Sequence, residues 1–246
     1  ANPDISVEFL AREKAQMSDE MYRQEYEADF VVFQGAVYGG SIDSQVLRDD
    51  ASIRAIIPEW PQIGPHRQIL VGIDTGADHP FGACKIVITE RGAVVVGEYL
   101  ERNKSFVEHA SGIKAMAFSH GLAAVRYAIN KNERQPMIEL SQHGINCERA
   151  QNDVVAGVER VKSWLHAHQL FFVEKLVPTT IKQMKSYRWA DNYSPKDEQK
   201  KVKEKVYKKA DELPDCLRYA LLCWPRLPTF AQPSTQRALT KLPPDM

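Results

Sequence analysis

Apolar positions follow a strand-like pattern from residue 68 onward. The run QILVGID (68–74) is typical of a buried strand, and it is followed by FGACKIVITE (81–90) and GAVVVGEYLE (92–101). The turn ERGA joins the second and third of these runs. The pattern therefore predicts three strands, of which the last two form an antiparallel hairpin or meander.

Helical and strand-like spacing alternate after this hairpin. Helices are predicted over 105–121, 136–144, 153–169, 179–189 and 210–225, and strands over 122–130, 145–150 and 170–175. The resulting order is β-β-β-α-β-α-β-α-β-α-α. This order predicts an α/β fold in which a mixed β-sheet is flanked by helices.

The first 66 residues have a different character. Residues 5–28 are rich in helix formers, and residues 30–40 predict two short strands around Gly35. Residues 41–66 contain three prolines and little periodicity, which favours a linker. The predicted organisation is an N-terminal helical segment and linker (1–66), a main domain (67–225) and an irregular tail (226–246).

Composition adds limits to this picture. The chain has 246 residues, of which 43% are hydrophobic and 26% charged, so it can form a substantial core. Lys+Arg and Asp+Glu balance at 32 each, so a surface for nucleic acid would have to be local. The sequence has no run of 18 apolar residues and no signal-peptide pattern, so we expect no membrane span. Four cysteines without a C-x-x-C pair favour reduced thiols over a zinc site.

A single carboxylate, Asp74, ends the first predicted strand, in VGIDTG. It has three interpretations: a turn cap, half of an aspartic-protease site, or a metal ligand on the central strand of an RNase H-like sheet. The protease interpretation needs two such loops sharing a proton, but D-T-G occurs once. The metal interpretation needs further carboxylates at the same edge of the sheet.

The last predicted helix supplies candidates for those carboxylates. Asp211 and Asp215 are four residues apart in DELPDCLRYALL, which places them on one helix face. Asp211 has a second explanation, because acidic residues at a helix N-terminus complement the helix dipole. Asp215 lies in an apolar stretch, where a charge is costly unless it is paired or metal-bound.

Four segments in this order resemble a known family. They are MYRQEYEADFVVFQGAVY, VGIDTG, PMIELSQHGINCERAQNDVVAGVERVKSWL and DELPDCLRYAL. Together they resemble the nuclease half of the terminase large subunit, the DNA-packaging motor and nuclease of tailed viruses. No Walker A sequence is present, so we expect no ATP site and a chain that lacks the ATPase half of that subunit.

The resemblance implies an RNase H-like (resolvase-like) fold and an endonuclease that cleaves concatemeric double-stranded DNA by two-metal hydrolysis. It implies two Mg²⁺ or Mn²⁺ ions as cofactors, and as partners DNA, the ATPase half, the portal and the small terminase subunit in the host cytoplasm. The catalytic positions it implies are Asp74, Asn130 and Asp215, and the metal ligands are Asp74, Asp215 and Asp211.

Asn130 departs from the family pattern. The family has an acid nine residues before the Glu of the IEL motif, and here that Glu is Glu139 and the earlier position is Asn130. Three explanations remain open: an inactivating Asp→Asn change, a natural variant compensated by Glu133, or a different register in which Glu139 is the ligand. An amide offers a neutral oxygen, so we expect a weakened second metal site.

A basic segment with interleaved aromatic residues, 182–209, precedes the last helix. Its lysines and arginine are the predicted phosphate contacts. The predicted DNA-binding residues are Lys182, Lys185, Arg188, Lys196, Lys200, Lys201 and Lys208.

Two other functions compete with the nuclease. An actin-like ATPase or sugar kinase also has a strand ending in G-I-D-x-G, but that fold needs two lobes and further phosphate loops. A catalytically weakened DNA-binding or assembly module of the packaging motor is made credible by Asn130. Metal-dependent DNA cleavage separates this module from the nuclease, and ATP hydrolysis identifies the ATPase.

Overall fold

The structure is a computed structural model that describes residues 36–76, 79–121, 123–151, 153–189 and 211–223, together with the single positions 6, 14, 22 and 206. Apart from those single positions, the helices predicted over 5–28 and the tail predicted over 226–246 lie outside the described residues.

The described residues form the following elements. The strands are β1 (Val46–Leu47), β2 (Gln68–Asp74), β3 (Phe81–Thr89), β4 (Gly92–Glu101), β5 (Ala124–Asn130), β6 (Cys147–Ala150) and β7 (Leu170–Val173). The helices are α1 (Asp50–Ile56), α2 (Phe106–Ala117), α3 (Arg134–Gln142), α4 (Val154–His166), α5 (Pro178–Ser186) and α6 (Glu212–Cys223), and a 3-10 helix spans Gly39–Gln45.

Seven strands of the described chain form one mixed sheet in the order β1-β7-β4-β3-β2-β5-β6. Strands β2, β3 and β4 pair antiparallel, which confirms the hairpin predicted for β3 and β4 around the ERGA turn. Strand β5 pairs parallel with β2, β6 with β5, β7 with β4 and β1 with β7. The element order predicted from residue 68 is confirmed.

Helices cover both faces of the sheet. On one face, the buried side chains of α4, α5 and α6, such as Trp164, Met184 and Leu217, pack against the strands. On the other face, α1, α2 and α3 contribute Ile53, Ile113 and Leu140. Both layers are needed because the central strands are apolar on both sides.

The linker predicted for 41–66 is wrong. This segment contains the end of the 3-10 helix, the edge strand β1 and helix α1, and its Ile53, Ile57 and Trp60 are buried. Ile53, Ile56, Ile57 and Trp60 have the i, i+3, i+4, i+7 spacing of an amphipathic helix, a signal that the prolines of this segment obscured. A strand was also predicted over the end of 30–40, where the structure instead begins the 3-10 helix at Gly39.

A lysine is buried in the layer between the sheet and α2. Lys85 on β3 has no exposed surface, and its Nζ lies 3.4 Å from Oγ of Ser119, which is exposed. Burial lowers the pKa of Lys85 from its usual 10.5 to about 8. The fold therefore holds a titratable group in a position that favours its neutral form.

Two further observations concern the described residues as a whole. Cys84, Cys147, Cys216 and Cys223 are free thiols. None of the helices in the described ranges combines the length and the apolar character that crossing a bilayer requires.

Candidate active site

Two parallel strands end side by side at the centre of the sheet. Asp74 is the last residue of β2, and Asn130 is the last residue of β5. The two strands are in register up to the pair Ile73 and Ile129, so Asp74 and Asn130 follow as neighbours. Adjacent strands lie about 4.8 Å apart. Asn130 therefore occupies the position next to Asp74, where the family resemblance implies an acid.

Helix α6 packs directly on the face of the sheet to which Asp74 points. A Cβ atom added to Gly72 would lie 1.8 Å from the carbonyl oxygen of Cys216, so the helix needs glycine there. Gly72 and Asp74 share a face because side chains alternate along a strand. Gly82, which pairs with Asp74, is also close to the first turn of α6, since an added Cβ would lie 3.2 Å from Cβ of Glu212.

The two aspartates of the last helix are both buried. Asp211 directly precedes α6 and is 5% exposed, and Asp215 in its first turn is 1% exposed. The N–H of Asp215 donates to the carbonyl oxygen of Asp211 at 2.9 Å, so the two residues are one helical turn apart.

The charges of Asp74 and Asp215 act on the same neighbours. Burial raises the pKa of Tyr219, and the negative charges of Asp215 and Asp74 raise it further. Burial also raises the pKa of the Cys216 thiol, and the negative charges of Asp74 and Asp215 raise it further. The end of β2 and the first turns of α6 therefore lie close together.

Asp215 is held by an ion pair that sequence reasoning missed. Its Oδ1 lies 2.8 Å from Nη2 of Arg218 in an ion pair and accepts a hydrogen bond from Nε of Arg218 at 3.2 Å. The hydroxyl of Tyr187 donates to the same oxygen at 2.9 Å. Burial alone would lower the pKa of Arg218, but the charge and hydrogen bond of Asp215, together with the neighbouring Tyr187 and Tyr38, outweigh burial and raise that pKa. The Arg-Tyr of the DCLRYAL motif was the available signal, but the sequence did not identify its partner.

Asn130 presents its amide nitrogen to the helix. Its Nδ2 donates to the hydroxyl of Tyr219 at 3.3 Å, and its Oδ1 accepts from the N–H of Asn132 at 3.0 Å. The amide oxygen of Asn130 thus already accepts a hydrogen bond from a residue of its own loop.

Glu133 lies beside the residue that follows Asp74. The hydroxyl of Thr75 donates to Oε2 of Glu133 at 2.9 Å. Glu139 accepts instead from Nε2 of Gln135 on its own helix, at 2.8 Å. Of the two glutamates that the sequence left open, the structure brings Glu133 to the end of β2.

Helix α5 supports the first turn of α6 through Gln183, which the sequence did not indicate. Oε1 of Gln183 accepts from the N–H of Leu213 at 2.9 Å. Nε2 of Gln183 donates to Oε2 of Glu212 at 3.0 Å. A lone Gln in an amphipathic helix carries no signal for this contact, because its partners lie about 30 residues further along the chain.

The donor chemistry fits a hard divalent cation. Carboxylate oxygens such as those of Asp74 and Asp211 are the ligands that Mg²⁺ and Mn²⁺ prefer. Among the residues that the structure describes, no group of three or more His, Cys, Asp or Glu side chains is placed to hold a metal ion. The described side chains therefore offer fewer charged donors than the two-ion site that the family resemblance implies.

Three of the predicted DNA-binding residues are described, and all three are exposed on or just after α5. They are Lys182, Lys185 and Arg188. Lys185 forms an ion pair with Asp43. The other predicted contacts lie outside the described ranges: Lys196, Lys200, Lys201 and Lys208.

Comparisons with known proteins agree on one fold. No protein-family model matches the sequence, and no curated protein matches it either. The structure is similar to the large terminase of a thermophilic bacteriophage, with a TM-score of 0.69 and 17% identity, over 89% of this chain and 52% of that protein. The chain thus spans about half the length of that terminase.

Isolated nuclease domains match over most of their own length. The P22 large terminase nuclease domain gives a TM-score of 0.60 at 12% identity, over 77% of this chain and 92% of that domain. The large terminase nuclease from the thermophilic phage G20c, with bound magnesium, gives 0.52 at 12% identity, over 78% and 98%. The predicted RNase H-like α/β fold is confirmed: the chain has the fold of the large-terminase nuclease domains.

Proposed function

We propose that this chain is a divalent-metal-dependent endonuclease of viral genome packaging, which hydrolyses phosphodiester bonds of concatemeric double-stranded DNA. The observation that carries the proposal is the convergence of Asp74, at the end of β2, with the acidic first turn of α6 on one face of the sheet. Similar solved structures support it, because the nuclease domain of phage SPP1 has bound manganese and that of phage G20c has bound magnesium.

In this proposal Asp74 and Asp211 would hold Mg²⁺ or Mn²⁺ through their carboxylates. A cation held there would supply Lewis-acid stabilisation of the charge that develops on the phosphate during hydrolysis. The family resemblance implies a principal ligand role for Asp215 and an auxiliary one for Asp211, and we propose the reverse. The Oδ1 of Asp215 is committed to Arg218 and Tyr187, so this residue anchors the helix that follows Asp211.

We propose that Glu133 replaces the acid missing at position 130. Its contact with Thr75 keeps a carboxylate one residue beyond Asp74. Asn130 directs N–H groups towards Tyr219 and cannot add negative charge. A site with this donor set binds the second of two ions weakly, so we expect slow nicking of DNA by the natural chain.

The substrate and the partners are part of the same proposal. Lys182, Lys185 and Arg188 provide an exposed basic surface on the helix next to α6, and phosphates contacted there would bind with little sequence preference. We propose that the chain works beside an ATPase half, the portal and the small terminase subunit in the host cytoplasm.

One experiment tests the enzymatic part. Plasmid nicking is measured with Mn²⁺, with Mg²⁺ and with EDTA for the natural chain and for Asp74→Asn, Asn130→Asp, Glu133→Gln and Glu139→Gln. We expect metal-dependent nicking that Asp74→Asn abolishes, Glu133→Gln reduces and Asn130→Asp increases. If Asn130→Asp leaves the rate of cleavage unchanged while Glu139→Gln abolishes cleavage, our assignment of the second acid is wrong.

The weakened DNA-binding or assembly module remains the second candidate, because Asn130 stands where the family pattern has an acid. It predicts DNA binding without metal-dependent cleavage in the natural chain. Gain of cleavage in Asn130→Asp, from a chain that is otherwise silent, would favour this module over an active nuclease.

A further inference from the structure

Gln183 caps α6 from a neighbouring helix. It is 6% exposed, and its Oε1 accepts the N–H of Leu213. That N–H is one of the first four of the helix, which have no acceptor within it. Its Nε2 is bonded to Glu212, the first residue of α6. The amide of Gln183 thus makes one accepting and one donating contact with the same helical turn.

The helix that carries Gln183 is itself fixed to the sheet. The carboxylate of Glu98 on β4 accepts the N–H of Thr179 at 3.1 Å and the N–H of Thr180 at 2.7 Å. It also accepts the Thr180 hydroxyl at 2.8 Å. A continuous set of hydrogen bonds therefore runs from β4 through the N-terminus of α5 to the N-terminus of α6.

We propose that Gln183 is a positioning residue that sets the place of Asp211 relative to Asp74 and thereby the affinity of the site for a divalent cation. The inference rests on the proposed function. Asp211 directly precedes the turn that Gln183 contacts, whereas Asp215 is fixed separately by Tyr187 and Arg218. Loss of the Gln183 contacts would leave the helix folded and displace its first residues.

Only a side chain with both an acceptor and a donor can form hydrogen bonds with the N–H of Leu213 and with the carboxylate of Glu212. In Gln183→Glu the acceptor for Leu213 is retained, but two carboxylates then face each other at Glu212. The double variant Gln183→Glu with Glu212→Gln exchanges donor and acceptor, so both hydrogen bonds can form again. The matched control is Gln135→Glu, because Gln135 also donates to a glutamate, Glu139, on an exposed helix surface.

The experiment measures Mn²⁺ affinity by calorimetry, nicking kinetics, DNA affinity and thermal unfolding for each variant. In Gln183→Glu we expect Mn²⁺ affinity and kcat to fall by about 10-fold, since mutation of residues that orient metal ligands typically costs about 10–100-fold in metal affinity or activity. We expect KM for DNA to stay unchanged, because the exposed lysines of α5 are untouched. The double variant should recover both quantities, and Gln135→Glu should behave like the natural chain.

The outcomes separate this inference from the proposed function. If the natural chain binds Mn²⁺ and nicks DNA but Gln183→Glu matches it, the positioning role is overturned and the nuclease stands. A folded double variant that fails to recover Mn²⁺ affinity also overturns the positioning role. If the natural chain neither binds Mn²⁺ nor nicks DNA, the proposed function itself fails.

Discussion

Replacing the buried Lys85 with methionine should stabilise the protein at neutral pH. Methionine keeps the length of the side chain and removes the charge. The pKa of Lys85 falls from 10.5 to about 8 on folding because of burial. Each pKa unit corresponds to ~1.36 kcal/mol, so the charged form costs the folded state about 3 kcal/mol. The partner Ser119 is exposed, so solvent screens part of this cost, and we expect a gain of about 2 kcal/mol.

The pH dependence of the stability difference distinguishes removal of the buried charge from improved packing. Between pH 8 and 10.5 the unfolded chain binds more protons at Lys85 than the folded chain, so the natural protein gains stability as pH rises through this window. The advantage of Lys85→Met should therefore be constant below pH 8 and vanish near pH 10.5. Urea unfolding at pH 7, 8, 9 and 10 measures it, with the exposed Lys131→Met as the control. A stability difference that does not change with pH, or a less stable Met variant at pH 7, would contradict this explanation.

The site itself leads to three other expectations. Asp215→Asn should lower the free energy of unfolding by about 3–5 kcal/mol, because it leaves the buried Arg218 without its partner charge, and urea unfolding would show it. Gly72→Ala should destabilise by about 3 kcal/mol or more through overlap with the backbone of Cys216, and a normal melting temperature would contradict the packing of α6. Lys182→Ala should weaken DNA binding uniformly across sequences, and a titration at several salt concentrations should show a salt dependence lower by about one ion.

Most of the fold could be predicted because its central strands and helices have strong, separate periods. The run 68–74 and the hairpin after it need no distant information, and the helix over 153–169 shows a single apolar face. Strand β1, within 41–66, could not be predicted in this way, because it has two residues and gains its stability from pairing with β7, more than a hundred residues later.

The residues of the candidate site also fall into those that the sequence could indicate and those that it could not. Asp74, Asp211 and Asp215 could be proposed from the sequence because Asp74 ends an apolar strand and Asp215, one helical turn from Asp211, lies in an apolar stretch where a charge is costly unless it is paired or metal-bound. The partners of Asp215 could not, since Tyr187 contacts it across 28 positions and only the folded chain brings them together. Glu133 lies between these cases: its distance from Asn130 was visible, but its hydrogen bond to Thr75 was not.

The short strand β1 also determines how this region can be isolated. It supplies the outer neighbour of β7, and the carbonyl of Leu47 accepts the N–H of Glu174 at 3.0 Å. A fragment that begins at residue 67 would lack the edge strand β1, and the backbone groups of β7 that pair with it would face solvent. Such a bare edge invites pairing with a second molecule, so the trimmed fragment would self-associate with rising concentration.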